Sequence, residues 1–397
     1  MMAAGSRPGL DKPRIAIIHP GLSVGGGSQA CAVWLAMAAA PDFRVTLISS
    51  SEIDLERLDW YYGTGLAGRE IATVTVPPAK WSEGFDALRG FRLERYCRKH
   101  SSGYDILVST YNTMDFGKPG VQFIADLSFH DGLRRKFDAG PPGFKGIFYR
   151  RSMFRSVYMV LSRLLAGRSR AGWERNLTVS NSQWTRGVLE RELSIGSEVI
   201  YPPVGGRFPD TPWPDREEGF LVLGRIEAEK RLESVLFILN KVRARGFDVH
   251  LHILGTSRDR SYSRDIETLC RDLGSWAVME GLKGGEDKKS FIAAHKYGIS
   301  GRSHEPFGIA VAEMIHAGCL VWVPGGGGQV EVVRNRALIF DSEDEAAEKI
   351  ATVLGNVRKQ EELRRELKGR TPEFSEDRFM EETRRLLGRW LVGSPPR

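Results

Sequence analysis

Short runs of β-branched and apolar residues alternate with longer segments of helical periodicity along the whole chain. In the first half these runs fall at residues 14–19, 44–49, 71–76, 105–110, 121–125 and 176–180. The alternation restarts at residues 220–224 and 249–255 and continues to residue 340. Strands that alternate with helices form parallel sheets covered on both faces. The pattern therefore predicts an α/β protein with two Rossmann-like, doubly wound parallel-sheet domains.

A proline-rich, polar stretch, RFPDTPWPDREEG, separates the two halves and ends at residue 219. Its composition is typical of a linker. A chain of 397 residues is also too long for one ordinary core. We therefore predict a first domain at residues 1–204, a linker at 205–219, a second domain at 220–374 and an amphipathic C-terminal helix at 375–397.

The most informative stretch reads GRSHEPFGIAVAEMIHAG and ends at Gly318. Pro306 fits the first position of a helix, and Gly318 fits just past its end. Between them only Glu313 and His316 are polar. A helix that is apolar on nearly every side is buried, so the carboxylate of Glu313 needs a compensating partner.

The start of this predicted helix has the properties of an anion site. The N–H groups of Phe307, Gly308 and Ile309 would point outward without a partner, and Gly308 allows close approach. Glu305 stands directly before the helix. We interpret the segment as a phosphate-binding helix start between two carboxylates. The alternative is a core helix with a solvent-facing Glu313 and a capping Glu305.

A second candidate phosphate contact follows the first strand of the second half. Gly224-Arg225 closes that strand, and Lys230 follows at the head of a helix. Two cations at the positive end of a helix are unfavourable unless an anion lies between them, and a guanidinium with an ammonium suits a diphosphate. The alternative is a surface pair balanced by Glu227 and Glu229.

A glycine-rich loop follows the first strand of the chain. Gly25, Gly26 and Gly27 open a helix that has Ser28 and Gln29 in its first turn. Such a loop lets the backbone approach a phosphate or a sugar. The loop lacks the G-x-G-x-x-G spacing of dinucleotide-binding proteins, and no acidic residue clearly ends the second strand as a ribose ligand.

Four segments, in the same order along the chain, resemble the motifs of retaining glycosyltransferase family 4. They lie at residues 25–29, 224–230, 305–313 and 327–331, and the third resembles the Glu-x7-Glu motif of that family. Two positions depart from the family pattern. Gln29 stands where Glu is common, and Val330 stands where Pro is usual.

The resemblance implies the GT-B fold, in which two Rossmann-like domains face a cleft and the last helix crosses back onto the first domain. It implies that Glu305 contacts the transferred sugar and that Glu313 binds the ribose hydroxyls. Arg225 and Lys230 would hold the donor diphosphate and offset the charge of the leaving group. The implied donor-binding residues are Gly26, Gly27, Phe307, Gly308, Ile309 and Glu313.

In many members of this family a His shortly after the fifth strand contacts the sugar. In GVQFIADLSFHD both Asp126 and His130 stand in that region. By analogy with the family we predict His130 as a candidate catalytic residue. Asp126 is the alternative for the same contact with the sugar. An ordinary structural role is the other interpretation of a single His near a strand end.

The net positive charge of the chain comes entirely from its first half. The net charge is +7, and residues 1–205 hold 26 Lys and Arg against 19 Asp and Glu. Most of the excess lies at residues 145–175, where Phe, Tyr and Trp accompany the basic residues. Such a segment is typical of contact with an anionic membrane surface; the alternative is a packed helix with a solvated arginine face. No recognised nucleic-acid motif is present, so nucleic acid is not an expected partner.

The composition describes a soluble globular protein, with 41% hydrophobic and 27% charged residues. The longest apolar run, at residues 30–40, is far shorter than a membrane span, and residues 1–13 lack the apolar core of a signal peptide. The four cysteines have neither metal-ligand nor redox spacing. We therefore expect a cytoplasmic protein, either fully soluble or peripheral at the cytoplasmic face of a membrane.

The resemblance and the charges together predict a retaining hexosyltransferase. Its co-substrate would be a nucleoside-diphosphate sugar, and its acceptor would be a glycan or a lipid-linked molecule bound by the first domain. No metal cofactor is expected, because Arg225 and Lys230 supply the positive charge that a divalent ion otherwise provides. The alternatives are a non-catalytic nucleotide-sugar-binding or membrane-associated protein and an NAD(P)-dependent oxidoreductase. The sequence does not identify the sugar, the nucleotide, the acceptor or the linkage.

Overall fold

The computed structural model describes residues 12–22, 26–80, 90–137, 164, 167, 170–257 and 259–393. These residues form two β-sheets, and every strand pair within the described part of the chain is parallel. Parallel neighbours need helical crossovers, which cover both faces of each sheet. The predicted α/β fold class, with two doubly wound parallel sheets, is confirmed.

The first sheet has the strand order β3-β2-β1-β4-β5-β6-β7. Its strands are β1 (Arg14–His19), β2 (Arg44–Ser49), β3 (Ile71–Thr75), β4 (Ile106–Ser109), β5 (Val121–Ile124), β6 (Leu177–Ser180) and β7 (Glu198–Val199). The helices around it are α1 (Gly27–Ala39), α2 (Leu55–Tyr62), α3 (Phe91–Lys99), α4 (Asp131–Phe137), α5 (Arg170–Glu174) and α6 (Gln183–Leu193). The strand order reverses between β1 and β4, which opens a crevice at the carboxyl ends of these strands.

The second sheet has the strand order β10-β9-β8-β11-β12-β13. Its strands are β8 (Glu217–Leu223), β9 (His250–Leu254), β10 (Ala277–Gly281), β11 (His295–Ile299), β12 (Leu320–Pro324) and β13 (Ile339–Phe340). Its helices are α7 (Leu232–Ala244), α8 (Arg260–Leu273), α9 (Gly285–Ala293), α10 (Ile309–His316), α11 (Gln329–Val333), α12 (Glu343–Leu354) and α13 (Val357–Lys368), and α14 (Glu376–Leu391) is the last helix of the described residues. The reversal here falls between β8 and β11.

The first strand of the second sheet begins earlier than the sequence indicates. β8 starts at Glu217 instead of residue 220, so the end of the predicted linker at 205–219 belongs to the sheet. Two charged residues followed by a glycine resemble a loop, but Glu217 pairs with His295 of β11, and Gly219 pairs with His250 of β9. Pairing with both neighbours places these residues inside the sheet. The domain limits at residues 204 and 374 remain predictions.

Polar side chains define where many of the helices begin. In six helices the residue before the first turn accepts a hydrogen bond from a backbone N–H of that turn, which satisfies a donor that the helix itself cannot. These residues are Asp54, Ser182, Asp259, Ser342, Asn356 and Ser375. For α6 this residue is Ser182, whose Oγ accepts from Thr185 N at 3.0 Å.

The C-terminal helix packs on the first half of the chain. Phe379, Leu386 and Leu387 of α14 are buried in the core formed by the first sheet and α1. Arg384 Nε donates a hydrogen bond to the carbonyl oxygen of Ala38, at 3.1 Å. This helix follows the second sheet along the chain, but it packs on the first half and completes the core there.

Within the described part of the chain, no helix combines the length and the apolar character needed to cross a bilayer. Most of the basic segment at residues 145–175 lies outside the described residues. The prediction of a membrane-binding surface there therefore rests on the sequence alone. The four cysteines are buried and free of disulfides.

Candidate functional site

The loops at the carboxyl ends of the two sheets meet across a cleft. Gly27, at the start of α1, lies against Ile309, at the start of α10; a Cβ atom on Gly27 would fall 2.7 Å from Ile309 Cδ1. Ser182, at the start of α6, donates a hydrogen bond from Oγ to the carbonyl oxygen of Pro306 at 2.6 Å. The crevice at the carboxyl ends is where parallel α/β sheets bind their ligands, so the two predicted binding surfaces face each other.

The helix start in the Glu-x7-Glu segment is displaced from its predicted position. α10 begins at Ile309 instead of Pro306, and Gly308 precedes it with φ of 97° and ψ of 56°. This left-handed conformation favours glycine, and a Cβ atom on Gly308 would lie 3.0 Å from Gln329 Cβ. The N–H groups that lack a partner within the helix therefore belong to Ile309, Ala310 and Val311, which moves the anion site by about half a turn.

Phe307 takes a different role from the one predicted. Its side chain is only 2% exposed and packs with its ring centroid 5.7 Å from that of Tyr201 and 5.5 Å from that of Phe374. The ring is therefore part of the core beneath the cleft. Any contact of Phe307 with a donor would have to come from its backbone.

Glu305 forms the centre of a buried charge network. Lys230 Nζ donates to Glu305 Oε2 at 2.6 Å, and Arg302 Nη1 lies 3.5 Å from Glu305 Oε1. The side chains of Lys230 and Glu305 are only 19% and 17% exposed. Burial would raise the pKa of Glu305, but the charges of Lys230, Arg302 and Arg225 outweigh it and lower the pKa to about 2. Glu305 is therefore ionised at neutral pH.

Arg225 lies at the exposed side of this network. Its guanidinium contacts Glu227 at 3.0 Å and Glu229 at 3.5 Å, and half of its side chain is exposed. These contacts match the alternative interpretation, in which Glu227 and Glu229 balance the charge at the surface. Lys230 differs, because its partner is the buried Glu305. Lys230 also ends a 3-10 turn (Ala228–Lys230) two residues before α7, instead of heading the helix as predicted.

Glu229 connects the two cations on either side of it. It accepts a hydrogen bond from Arg302 Nη1 at 3.1 Å in addition to its contact with Arg225. Burial raises the pKa of Glu229, and the charges of Arg302, Lys230 and Arg225 oppose that rise. The predicted residues Arg225, Lys230 and Glu305 are thus joined in one network through Glu229 and Arg302.

Glu313 has the compensating partner that its burial demands. Lys288 Nζ, from α9, donates to Glu313 Oε1 at 2.7 Å. Burial would lower the pKa of Lys288, but Glu313 and Tyr61 outweigh that effect and raise it. The two carboxylates of the motif therefore lie in separate ion pairs, Glu305 with Lys230 and Glu313 with Lys288.

Asp126 lies at the end of β5 in a hydrogen-bonded group that faces the second half. Its carboxylate accepts from Tyr111 Oη at 3.2 Å and from Asn112 Nδ2 at 3.0 Å. The charge of Asp126 and burial raise the pKa of Tyr111, and the charge of Arg225 opposes that rise. Arg225 thus lies close enough to the Asp126 group for its charge to act on Tyr111.

His130 lies on the turn that leads into α4. Its carbonyl oxygen accepts a hydrogen bond from Arg134 N at 2.9 Å, and its ring lies beside Phe129 and within 3.0 Å of where a Cβ on Gly132 would stand. These contacts are those of a helix-start residue. The choice between Asp126 and His130 as the sugar contact remains a prediction.

The glycine-rich loop is organised by His19, which sequence reasoning missed. His19 is buried at the end of β1, with Nε2 3.0 Å from Ser28 Oγ and with Nδ1 accepting from Gly21 N at 3.0 Å. Burial lowers the pKa of His19 to about 3, so the ring is neutral. Gln29 donates from Nε2 to the carbonyl oxygen of Gly21 at 3.2 Å. The residue that departs from the family pattern thus supports the loop backbone.

Gly26 is held by an aromatic residue of α2. Tyr62 Oη donates to the carbonyl oxygen of Gly26 at 2.9 Å, and Gly26 N lies 3.2 Å from the same Oη. Gly26 and Gly27 therefore lie at the cleft, one fixed by Tyr62 and the other packed on Ile309. Gly25 lies outside the described residues.

Glu331, in the fourth motif, links the two halves directly. Its carboxylate accepts hydrogen bonds from the N–H groups of Gln183 at 3.0 Å and Trp184 at 2.6 Å, and from Tyr201 Oη at 3.0 Å. Gln183 and Trp184 open α6, where a helix favours a negative charge. A carboxylate from the second half thus caps a helix of the first half and helps to hold the cleft in this arrangement.

We expect Glu331→Gln to destabilise the protein by about 1–3 kcal/mol, because a neutral amide would leave one of these N–H groups poorly paired. The melting temperature should fall by a few degrees, at roughly 2–4 °C per kcal/mol. The exposed Glu348→Gln, on α12, is the matched control and should leave the melting temperature unchanged. An unchanged melting temperature in both variants would show that the cap contributes nothing to stability.

Two cations of the site were not predicted from the sequence, and only one of them carried a usable signal. Arg302 flanks the Glu-x7-Glu segment, and its position next to a buried carboxylate was a usable hint. Lys288 stands in a polar run at the start of α9, where nothing distinguishes it from its neighbour Lys289. Among the described residues, the group of metal-ligating side chains that lie close enough to share an ion is at the amino edge of the second sheet, away from the cleft. Metal independence of the cleft remains a prediction.

Comparison with known proteins finds a family match in the second half of the chain. The family model "Glycosyl transferases group 1" matches residues 207–371, which contain Arg225, Lys230, Glu305 and Glu313. No curated protein matches the chain significantly in sequence.

The chain is similar in structure to several solved proteins at low sequence identity. HepE (Alr3699) of Anabaena, in complex with UDP and glucose, has a TM-score of 0.68 at 14% identity, over 95% of this chain and 99% of that one. WaaG, a glycosyltransferase involved in lipopolysaccharide biosynthesis, has a TM-score of 0.70 at 17% identity, over 94% and 99%. Sucrose-phosphate synthase from Thermosynechococcus elongatus has a TM-score of 0.71 at 15% identity, over 96% and 100%. These likenesses show that the chain shares the fold of these proteins, and the family model matches the second half of the chain.

Proposed function

We propose that the protein is a retaining glycosyltransferase that moves a hexose from a nucleoside-diphosphate sugar to an acceptor hydroxyl. The observation that carries the proposal is the ion pair of Glu305 with Lys230, at 2.6 Å, beside the start of α10. It joins a cation suited to a diphosphate with a carboxylate suited to sugar hydroxyls. Both residues lie in the part of the chain that matches the glycosyltransferase family model.

The diphosphate of the donor would lie between Lys230, Arg225 and the start of α10. An ammonium group has three N–H donors, so Lys230 can hold Glu305 and a phosphate oxygen together. Arg225 is half-exposed, so it can reach a phosphate without leaving a buried pair. The N–H groups that open α10 add donors and the positive end of the helix dipole. A dinegative ligand would therefore replace part of the balance that Glu227 and Glu229 now provide.

In the proposed reaction the bond from the sugar C1 to the diphosphate oxygen breaks, and its electron pair stays on the diphosphate. Lys230 and Arg225 stabilise the negative charge that grows on the diphosphate. Such electrostatic stabilisation by fixed groups is usually the largest single contribution to catalysis. For retention, the acceptor oxygen arrives on the face that the diphosphate leaves, bonds to C1 there and passes its proton to the departing diphosphate oxygen. Because the cations are fixed, added Mg²⁺ or Mn²⁺ should not be needed for turnover.

The two carboxylates would have different tasks. Glu305 is ionised and held by Lys230 and Arg302, so it can accept hydrogen bonds from hydroxyls of the transferred sugar. Glu313 lies further along α10, where its free oxygen can accept from the ribose hydroxyls while Lys288 holds the other. Asp126 or His130 would contact the sugar from the first half.

A thermal-shift panel of UDP-, GDP- and ADP-sugars tests the donor class. A ligand that binds the native state raises the melting temperature by an amount set by its concentration and Kd. UDP-glucose is the first candidate, because HepE was solved with UDP and glucose and also with UDP-glucose.

A shift with NAD(P)H alone would instead favour the oxidoreductase. A shift with a nucleotide sugar but no transfer to any glycan or lipid-linked acceptor would favour a non-catalytic binding protein. The anomeric configuration of the product, from NMR, decides between retention and inversion.

We also propose that the acceptor is presented at an anionic membrane surface. The support is the charge of the first half and its concentration at residues 145–175. Basic residues near an anionic surface gain about 1 kcal/mol each, so several of them would hold the enzyme there reversibly. WaaG, one of the similar structures, is described as involved in lipopolysaccharide biosynthesis, and a lipopolysaccharide is a lipid-linked glycan.

Co-sedimentation with vesicles should show binding to anionic lipids, weaker binding as salt screens the charge, and little binding to neutral lipids. Binding should fall when three arginines of the basic segment become glutamine, namely Arg150, Arg151 and Arg155. The matched control replaces three basic residues of α13 instead, namely Arg358, Lys359 and Arg365. If the unchanged protein stays in the supernatant at low salt, the acceptor is a soluble molecule.

A further inference from the structure

Three histidines and one glutamate converge at the amino edge of the second sheet. Glu217 begins β8, His250 and His252 lie at the start of β9, and His295 begins β11. One potential ligand atom from each of them lies within 4.8 Å of all the others. This edge is opposite the carboxyl edge that forms the cleft, so the proposed glycosyl transfer does not use these side chains.

The strand register brings the group together. β8 lies between β9 and β11, and Glu217 pairs directly with His295. His250 and His252 are two residues apart on one strand, so both face the same side of the sheet. The four side chains therefore come from three adjacent strands and share one surface.

Gly219 leaves the space that the imidazoles occupy. A Cβ atom at this position would lie 2.3 Å from His250 Nε2 and 2.5 Å from His295 Cδ2. Any other residue would push the two rings away from each other. Its φ is not in the left-handed region, so close approach, and not backbone conformation, explains the glycine.

Two of the ring nitrogens have one carboxylate nearby, and neither makes a well-formed hydrogen bond to it. His250 Nε2 and His295 Nε2 are both buried, and neither has a partner of hydrogen-bond geometry among the described residues. Glu217 Oε2 lies 3.3 Å from the first and 3.7 Å from the second. Leaving buried polar atoms without a partner is costly, and two such atoms beside one carboxylate indicate a missing common partner.

Outer hydrogen bonds orient two of the rings. The carbonyl oxygen of Phe291 lies 2.7 Å from His295 Nδ1, and Glu280 Oε1 lies 2.8 Å from His252 Nδ1. Both partners are acceptors, so each Nδ1 carries the proton and each Nε2 keeps its lone pair. A ring nitrogen bonded to a carbonyl or a carboxylate is the usual outer support of a metal-binding histidine.

We propose that Glu217, His250, His252 and His295 bind one divalent transition-metal ion, with Zn²⁺ as the best fit. Imidazole nitrogens with one carboxylate suit Zn²⁺ and its neighbours in the first row, and not Mg²⁺ or Ca²⁺. A tetrahedral ion with bonds of about 2.0 Å would place its ligand atoms about 3.3 Å apart. The distances from Glu217 Oε2 to His250 and His295 are close to that value. The ion would tie three strands together at the edge away from the cleft, as a structural site.

Metal titration of the full chain, after treatment with a chelator, tests this directly. Calorimetry should show one Zn²⁺ per chain, and Zn²⁺ should raise the melting temperature while Mg²⁺ does not. Co²⁺ should give the intense visible bands of a four-coordinate site, which do not depend on enzyme activity. The affinity for UDP-glucose should be the same with and without Zn²⁺, so this result is separate from the test of the proposed function.

Substitutions identify the ligands. His250→Gln should abolish the Co²⁺ bands, and Gly219→Ala should do the same by displacing the rings. Glu280→Gln, which removes an outer support only, should weaken Zn²⁺ binding by roughly 10–100-fold. His100→Gln, at an exposed histidine of the first half, is the control and should bind Zn²⁺ normally.

Circular dichroism would show whether each variant folds, and Glu280→Gln keeps the test informative if Gly219→Ala does not fold. Zn²⁺ binding of equal affinity in the unchanged protein and His250→Gln would overturn the proposal. So would the absence of any stoichiometric binding by the unchanged protein.

Discussion

Replacing Lys230 with alanine is expected to lower kcat by roughly 10²–10³, the loss measured when one fixed donor is removed from a developing negative charge. In the proposed reaction that charge develops on the departing diphosphate. Lys230 is positioned for this task by Glu305, 2.6 Å away. Initial rates with saturating UDP-glucose and acceptor measure the effect. Turnover that stays normal in Lys230→Ala would contradict the leaving-group role.

The same substitution also removes a partner from a buried carboxylate, which has its own effect on stability. Breaking a buried ion pair costs up to about 3–5 kcal/mol, and the remaining contact of Glu305 with Arg302, at 3.5 Å, reduces that cost. A fall in the melting temperature should therefore accompany the fall in kcat. Arg225→Ala separates the two effects, because Arg225 is half-exposed: its kcat should fall with little change in melting temperature.

The ion pair also predicts how stability depends on pH. The pKa of Glu305 is lowered to about 2 in the folded protein, below the value of about 4.3 for an unperturbed Glu. A lowered pKa of a carboxyl stabilises the fold above the unfolded value, and that stability is lost as the pH falls through the folded value. In Lys230→Ala the pKa of Glu305 in the folded protein is higher. The free energy of unfolding of this variant therefore falls less on acidification than that of the unchanged protein. Melting curves of both proteins between pH 6 and pH 3 should therefore converge as the pH falls. The control is Lys359→Ala, at a partly exposed lysine paired with Glu362, and it should follow the unchanged protein.

The two glutamates of the motif should respond differently to substitution. Glu305→Gln should lower kcat by about 10²-fold with little change in the Kd of free UDP, because UDP lacks the sugar that Glu305 contacts. Glu313→Gln should instead weaken UDP binding by roughly 10–100-fold, since a hydrogen bond to a charged group contributes about 1.5–3 kcal/mol. Calorimetric titration with UDP and initial rates separate these effects. Equal losses of UDP affinity in both variants would show that the roles are assigned wrongly.

Lys288 supplies the control for the second of these variants. Removing the charge of Glu313 leaves Lys288 buried without its 2.7 Å partner, and this alone could disturb α9 and α10. In Lys288→Met/Glu313→Gln the uncompensated charge is gone. UDP binding should remain weak in the double variant if Glu313 contacts the ribose directly. Recovery of UDP affinity would show that Glu313 acts only through its ion pair.

The charges of the site illustrate how the sequence left two interpretations open. Arg225 with Lys230 was either a diphosphate site or a surface pair balanced by Glu227 and Glu229. The structure contains both arrangements, since Arg225 contacts those glutamates and Lys230 contacts a buried Glu305. A cation that must bind an anionic substrate needs a counter-charge when the substrate is absent, and nearby glutamates provide it.

The sequence by itself determined the fold class, most strand positions and the buried character of α10. These follow from the periodicity of neighbouring residues, which selects helix or strand and which face is buried. The cap of α6 was also within reach, because Ser182 bonds to the N–H of Thr185, three residues away. Local features of this kind need no knowledge of what the rest of the chain does.

The tertiary structure decided which distant groups meet. Glu305 pairs with Lys230, 75 residues away, and Glu331 caps α6 across 147 residues. The histidine group depends on the register of three strands. The sequence alone predicts Gly219 as part of the linker, and only the aligned strands show that it lies within the sheet. Even directly before α10 a distant residue matters, because a Cβ atom on Gly308 would lie 3.0 Å from Gln329 Cβ. The partner of a charge is chosen by strand order, register and the docking of the two halves, and short-range patterns in the sequence encode none of these.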